Sequence, residues 1–166
     1  MKIIASGGLD EYDITELSAA QIPFDSYGVG TKMGTSSDAP WSEMAYKLVE
    51  YGDKLVLKRS PGKSSWPGAK QLFRQRNSQG QLERDIIGLR DEHVVGTEAL
   101  LRKVMESGKI AVTLPRLAQR RALLAKELGK LPDSTKAIRN PVLYSVEFSP
   151  KLVRLREETE RKLLNP

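Results

Sequence analysis

Two short stretches of this 166-residue chain carry the residue types that could hold a small anion: Ser6-Gly7-Gly8 and Gly28-Val29-Gly30-Thr31. Glycine lacks a Cβ, so the main chain there can bring its N–H groups close to a phosphoryl group. A serine or threonine hydroxyl alongside adds a further donor. Each stretch follows a strand-like run, residues 2–5 in the first case and "IPFDSY" in the second. Parallel strands joined by a helical crossover end at one rim of their sheet, and neighbours lie about 4.8 Å apart. On that geometry Ser6, Gly7, Gly8, Gly28, Gly30 and Thr31 are predicted to converge on one anion. The competing reading is a pair of tight strand-to-helix turns with no ligand, because Ser-Gly-Gly and Gly-x-Gly are each weak motifs. Asp10, Glu11 and Asp13 stand beside the first turn, and carboxylates repel an anion unless they engage ribose hydroxyls, Mg²⁺ or their own backbone.

The elements that must position these turns follow from hydrophobic pattern. Residues 2–5 are apolar on both faces, as in a buried parallel strand. "DEYDITELSAAQ" predicts a helix with Ile14, Leu17 and Ala20 on one face; Asp13 and Glu16 have capping-box spacing, and Asp10 is an alternative cap. Strand, glycine loop, helix, strand, glycine loop is the order of β/α units. The pattern then changes. "AYKLVEYGDKLVLKRS" predicts a hairpin around Gly52-Asp53, and "SPGKSSWPG", "NSQGQ" and "ESGK" are closely spaced turn signals of an antiparallel lobe. "LPRLAQRRALLAKELGKL" is a helix with Leu117, Leu124, Leu128 and Leu131 on one face, Pro115 suiting its first turn. "VLYSVEFSP" is a closing strand, after which Ser149 and Pro150 open a final helix through Leu152, Leu155, Thr159 and Leu163. The expected organisation is therefore an α/β segment over residues 1–45 and a β-rich lobe with two amphipathic helices over residues 46–166.

Composition narrows the chemistry. With 39% hydrophobic and 29% charged residues the chain is an ordinary globular one, long enough for one domain or two small lobes. It has no cysteine, which excludes zinc–thiolate sites, disulfides and cysteine nucleophiles. His93 is the single histidine and sits in the polar stretch "LRDEHVVG", the setting of a surface residue and not of a triad base. A net charge of +6 permits anionic partners. The basic residues are dispersed and the aromatic ones few, so nucleic acid is not the expected partner. No apolar run approaches membrane-spanning length, and a cytoplasmic location is the expectation.

Taken in order, "SGGLDEYDI", "DSYGVGTKMGTSSDAP", "YKLVEY", "GKSSWPGAKQLFR" and "LPRLAQRRALLAKEL" resemble the C-terminal half of bacterial nicotinate phosphoribosyltransferases. The resemblance implies an enzyme that condenses nicotinate with 5-phosphoribosyl 1-pyrophosphate to nicotinate mononucleotide and pyrophosphate, with ATP hydrolysis and Mg²⁺. It implies the last β/α units of an irregular phosphoribosyltransferase α/β barrel, then an antiparallel β-rich lobe with peripheral helices, in a homodimer when complete. In that frame Ser6, Gly7, Gly8, Gly28, Gly30 and Thr31 match the loops that hold the ribosyl 5-phosphate. Some relatives carry an acidic residue within the first loop where this chain has Gly7 and Gly8, which leaves Asp10 as the candidate for ribose or Mg²⁺ contact. The family's nicotinate-binding residues and its phosphorylated histidine lie upstream of the region matched, so the missing upstream half is the expected partner and the isolated chain is expected to be inactive. Nicotinamide or quinolinate phosphoribosyl transfer, and a non-catalytic remnant, are the alternatives. Lys47, Lys63 and Lys70 lie inside matching motifs without an assigned role.

Overall fold

The computed structural model describes residues 1–42 and 44–164, and the chain divides into two compact units, Met1–Tyr46 and Lys47–Pro166. In the first unit β1 (Ile4–Ser6), α1 (Glu11–Ala19), β2 (Ser26–Gly28) and α2 (Thr31–Thr35) follow one another. β1 and β2 are parallel, with Ile4 opposite Ser26, Ala5 opposite Tyr27 and Ser6 opposite Gly28. Asp25 clamps the start of the pair: its N–H donates to the Ile3 carbonyl at 2.9 Å, and its Oδ2 accepts the Ile3 N–H at 2.5 Å.

Two expectations are corrected here. The α1 cap is Asp10 and not the Asp13–Glu16 pair, because a cap residue needs extended backbone; Asp10 has φ −128° and ψ −174°, while Asp13 already lies within the helix. β1 is not buried on both faces: the sheet has two strands, and Ile4 remains 65% exposed. Neither α1 nor α2 carries a buried residue, so the faces of this two-stranded pair stay open.

The second unit runs β3 (Glu50–Tyr51), β4 (Lys54–Leu55), β5 (Lys70–Arg76), β6 (Leu82–Leu89), β7 (Thr97–Ala99), β8 (Met105–Glu106), β9 (Lys109–Ile110), α3 (Leu117–Leu128), α4 (Asp133–Lys136), β10 (Ser145–Phe148) and α5 (Pro150–Leu164). The β3–β4 hairpin turns at Gly52-Asp53, β5 returns as β6 through "NSQGQ", and β8 returns as β9 at Ser107-Gly108, where the turn residues placed them. The main sheet has the order β10-β6-β5-β7. β5 is antiparallel to β6 and β7, but β10 runs parallel to β6, so the closing strand departs from the expected antiparallel arrangement. The long connection through α3 and α4 makes this direction reachable, as a parallel neighbour needs a crossover and cannot follow from a tight turn.

The core of this unit is Phe73, Leu82, Ile86 and Leu152, the last fully buried. Ser149, 1% exposed, joins β10 to α5: its Oγ accepts the Leu152 N–H at 3.1 Å and donates to Glu92 Oε2 at 2.7 Å. Trp66 stacks on Phe148 with ring centroids 3.9 Å apart, and the Arg156 guanidinium lies 4.5 Å from the Trp66 ring. Across β5 and β6, Arg74 grips Asp85 through two hydrogen bonds of 2.9 and 2.8 Å, and the Tyr144 hydroxyl donates to the same carboxylate at 3.1 Å. Burial pushes the Asp85 carboxyl up, but the Arg74 and Tyr144 hydrogen bonds outweigh it and leave the group below its ordinary value. Burial, together with the bond to Asp85, pushes the Tyr144 hydroxyl up to about 12.

α3 forms where the leucine spacing placed it, yet Leu117, Leu124 and Leu128 are 74%, 60% and 46% exposed. Polar contacts attach its C-terminal end: Arg76 bonds Glu127 at 3.4 Å, and the Leu82 N–H donates to the Lys130 carbonyl at 2.9 Å. A stability contrast follows. Leu152→Ala should cost about 2–5 kcal/mol, whereas Leu124→Ala should stay within about 0.5 kcal/mol, in urea unfolding of the chain followed by circular dichroism. Equal losses at the two positions would contradict this packing.

Candidate functional site

The parallel register carries both glycine turns to the same end of the β1–β2 pair. Ser6, Gly7, Gly8, Gly28, Gly30 and Thr31 all line one cleft of about 350 Å³, together with Leu9, Val29 and Lys32. The structure thus brings together all six residues singled out from the sequence. Gly7 and Gly8 have φ of +122° and +66°, a bend that other L-residues adopt only with strain. Gly28 is required by proximity, as a Cβ there would stand 3.0 Å from the Ser6 Cβ. At Gly30 an added Cβ meets nothing within 4 Å, so that side of the cleft is open. The hydroxyls of Ser6 and Thr31 have no hydrogen-bond partner among the described residues.

Helix ends differ in what they offer. The amino end of α1 is closed by Asp10, whose Oδ1 accepts the N–H groups of Tyr12 and Asp13, both at 3.0 Å, while Asp13 Oδ2 accepts the Asp10 N–H at 3.0 Å. Of the first-turn amides of that helix only the Glu11 N–H lacks a partner among the described residues. No side chain caps α2, whose N-cap residue is Gly30, so its first N–H groups adjoin the cleft.

Lys32 is the functional-site residue that sequence reasoning missed. Its ammonium lies 2.5 Å from Asp10 Oδ2 and 3.7 Å from Asp13 Oδ2, linking the first loop's helix to α2. The hydrogen bond from Lys32, helped by the Asp13 backbone N–H, holds the Asp10 carboxyl down at about 2. Asp10 raises Lys32 in turn. Two of the three carboxylates expected to repel an anion are therefore occupied, Asp10 by two amides and an ammonium and Asp13 by the Asp10 N–H and the same ammonium, while Glu11 lines the neighbouring hollow. A lysine two positions after Gly30 was visible, but its partner lies 22 residues away, beyond any local motif. A neighbouring hollow of about 300 Å³ shares Val29 and Lys32 but is rimmed by Glu11 and Asp38, which suits an anion poorly.

Of the unassigned lysines, Lys47 is exposed and Lys63 lies in the turn that its N–H closes onto the Ser60 carbonyl at 3.0 Å. Lys70 opens β5 and donates to the carbonyls of Trp66 and Gly68 at 2.6 and 2.7 Å. No group of three or more His, Asp or Glu side chains able to hold a metal occurs among the described residues. No helix there is long and apolar enough to cross a membrane.

Known proteins resemble this chain in sequence and fold. Residues 93–156 match the family described as the nicotinate phosphoribosyltransferase C-terminal domain. The nicotinate phosphoribosyltransferase pncB2 of Mycobacterium tuberculosis is 36% identical over 162 residues, which is 94% of this chain and 35% of that protein. The nicotinate phosphoribosyltransferase of Bos taurus is 28% identical over 90% of this chain and 32% of its own length. The crystal structure of human nicotinic acid phosphoribosyltransferase superposes with a TM-score of 0.72 at 24% identity, over 95% of this chain and 33% of that one. The mixed α/β fold and these matches liken the chain to the class of phosphoribosyltransferases. Within it, the chain is a relative of the nicotinate phosphoribosyltransferases and corresponds to their C-terminal part. It spans about a third of the length of the curated relatives it matches, less than the half expected from sequence.

The Asp10–Lys32 link has a pH signature. A carboxyl held down in the folded state stabilises that state above its unfolded pKa, and this contribution is lost as pH falls through the folded value. The link should stay intact from neutral pH down to about 4 and fail as pH approaches about 2. Carboxyl ¹³C NMR should show Asp10 titrating near that lower value, and Lys32→Met should move it back toward the ordinary range. An ordinary titration of Asp10 in the unmodified chain would refute the link.

Proposed function

We propose that this chain supplies the ribosyl 5-phosphate site of a nicotinate phosphoribosyltransferase, which forms nicotinate mononucleotide and pyrophosphate from nicotinate and 5-phosphoribosyl 1-pyrophosphate. The observation that carries the proposal is the single cleft lined by both glycine turns, Ser6 to Gly8 and Gly28 to Thr31, at the ends of two parallel strands. In the proposed complex the N–H groups of Gly7, Gly8, Gly30 and Thr31 and the hydroxyls of Ser6 and Thr31 surround the phosphate. β1 and β2 then serve as the last strands of an irregular α/β barrel whose earlier strands, with the nicotinate-binding residues, come from an upstream segment. The working enzyme is a cytoplasmic homodimer.

In this reaction the nicotinate ring nitrogen attacks the anomeric carbon of the sugar as pyrophosphate departs. A phosphate held at the far end of the ribose fixes the reacting carbon in place, and such positioning is a large part of what a binding site contributes to rate. No acid, base or nucleophile is assigned to this chain. ATP hydrolysis and Mg²⁺ belong to the proposal through the family. Both oxygens of Asp10 are already engaged, so the described residues do not form a Mg²⁺ site of their own, and contact of Asp10 with ribose or the ion requires exchange of the Lys32 bond. This chain's share of the chemistry is to bind and orient the sugar phosphate.

The test uses a polypeptide of the relatives' full length. Gly30→Val places a side chain in the open part of the cleft and should weaken 5-phosphoribosyl 1-pyrophosphate binding at least about tenfold, roughly 1.4 kcal/mol. Thr31→Ala, which removes one donor, should weaken it about three- to tenfold. Both effects should appear in KM and in a direct calorimetric Kd. Unchanged binding in both variants would reject the assignment.

A further inference from the structure

The second unit carries a cleft of about 400 Å³ lined by Lys70, Gln71, Arg90, Leu101, Arg102 and Lys103. Four of the six are cations and none is a carboxylate. The sheet order explains their meeting, because β6, β5 and β7 are adjacent strands. Lys70 opens β5, and Arg90 follows the end of β6, its N–H donating to the Ala69 carbonyl at 3.0 Å. On the other side the Leu100 N–H donates to the Leu72 carbonyl at 2.8 Å. Gln71 then clasps Leu101 in both directions, its Nε2 donating to the Leu101 carbonyl at 2.9 Å and its Oε1 accepting the Leu101 N–H at 2.7 Å. That clasp sets Arg102 and Lys103 beside the mouth of the cleft.

The charges here are mostly unpaired. Lys103 bridges Glu106 at 2.7 Å, while Arg90 and Arg102 have no carboxylate partner among the described residues. The Lys70 ammonium gives two of its three N–H groups to the carbonyls of Trp66 and Gly68 and keeps one free. Glu50 is the nearby acid, but its Oε2 accepts the Ala69 N–H at 3.2 Å and it does not line the cleft. Burial pulls the Lys70 ammonium below its ordinary value, against the opposing attraction of the Glu50 carboxylate.

We propose that this cleft binds an oligophosphate, a chain of two or more phosphoryl groups that meets Arg90 and Arg102 at its ends and Lys70 between them. Two guanidinium forks suit phosphoryl oxygens bidentately. The volume exceeds what one phosphate fills, and the lining offers no aromatic ring for a base and no carboxylate for a sugar. Recognition therefore rests on the phosphate chain, whether free or as the tail of a nucleotide.

The experiment is a titration of the ¹⁵N-labelled chain with sodium tripolyphosphate, orthophosphate, ATP and a short oligonucleotide in separate arms at physiological salt. The expected result is saturable shifts at the amides of Lys70, Gln71, Arg90, Leu101 and Arg102, with tripolyphosphate at least tenfold tighter than orthophosphate and about equal to ATP. The double variant Arg90→Ala, Arg102→Ala should lose at least tenfold in affinity while keeping a dispersed spectrum, and Gly30→Val should keep the parent affinity, which separates this cleft from the glycine loops. Shifts spread over the other basic segments, an unaltered affinity in the double variant, ATP tenfold tighter than tripolyphosphate, or tighter binding of the oligonucleotide would each overturn the proposal.

Discussion

The first unit depends on one close contact, the parallel approach of Gly28 to Ser6. With no Cβ on Gly28, the ends of β1 and β2 pair at full register, and a methyl group there would press on the Ser6 side chain at 3.0 Å. Asp25 fixes the opposite end of the pair with two hydrogen bonds to Ile3, so the register cannot slip without losing both. A one-residue slip would turn each side chain to the other face and separate the two glycine bends. The common cleft exists because this register is enforced at both ends.

Charge placement then makes the cleft suitable for an anion. Three acidic residues follow the first bend, and left free they would oppose a phosphate. Asp10 instead caps α1 and receives Lys32, and Asp13 completes the capping box and adjoins the same ammonium. One interaction therefore offsets the charges of Asp10 and Asp13 and ties the helix after the first loop to the helix after the second, while Glu11 lines the neighbouring hollow. The uncapped start of α2 remains on the cleft side, and the short length of that helix makes individual N–H groups, not a macrodipole, the relevant donors.

Much of this was legible because it is local. Glycine-containing turns, the Gly52-Asp53 and Ser107-Gly108 hairpins and the Ser149 cap are set by residues within a few positions of one another, and they formed where the sequence placed them. What stayed hidden is non-local. Strand direction in β10 depends on the path taken by α3 and α4, and the leucine stripe of α3 defines a face without naming what covers it. Asp10 and Asp13 both head plausible capping boxes, and only backbone conformation chooses between them. The Lys32 pairing joins residues on separate elements, and the convergence of Arg90, Lys70 and Arg102 requires knowing which strands are neighbours.

The central claim is that main-chain N–H groups from two bends hold one phosphoryl group. It is tested most directly by the amide spectrum of the chain titrated with ribose 5-phosphate, which presents the phosphate and sugar without a leaving group. Saturable shifts centred on Gly7, Gly8, Gly30 and Thr31 are expected, with ribose alone producing none. Shifts absent from those four amides, or equal with ribose and with ribose 5-phosphate, would contradict it.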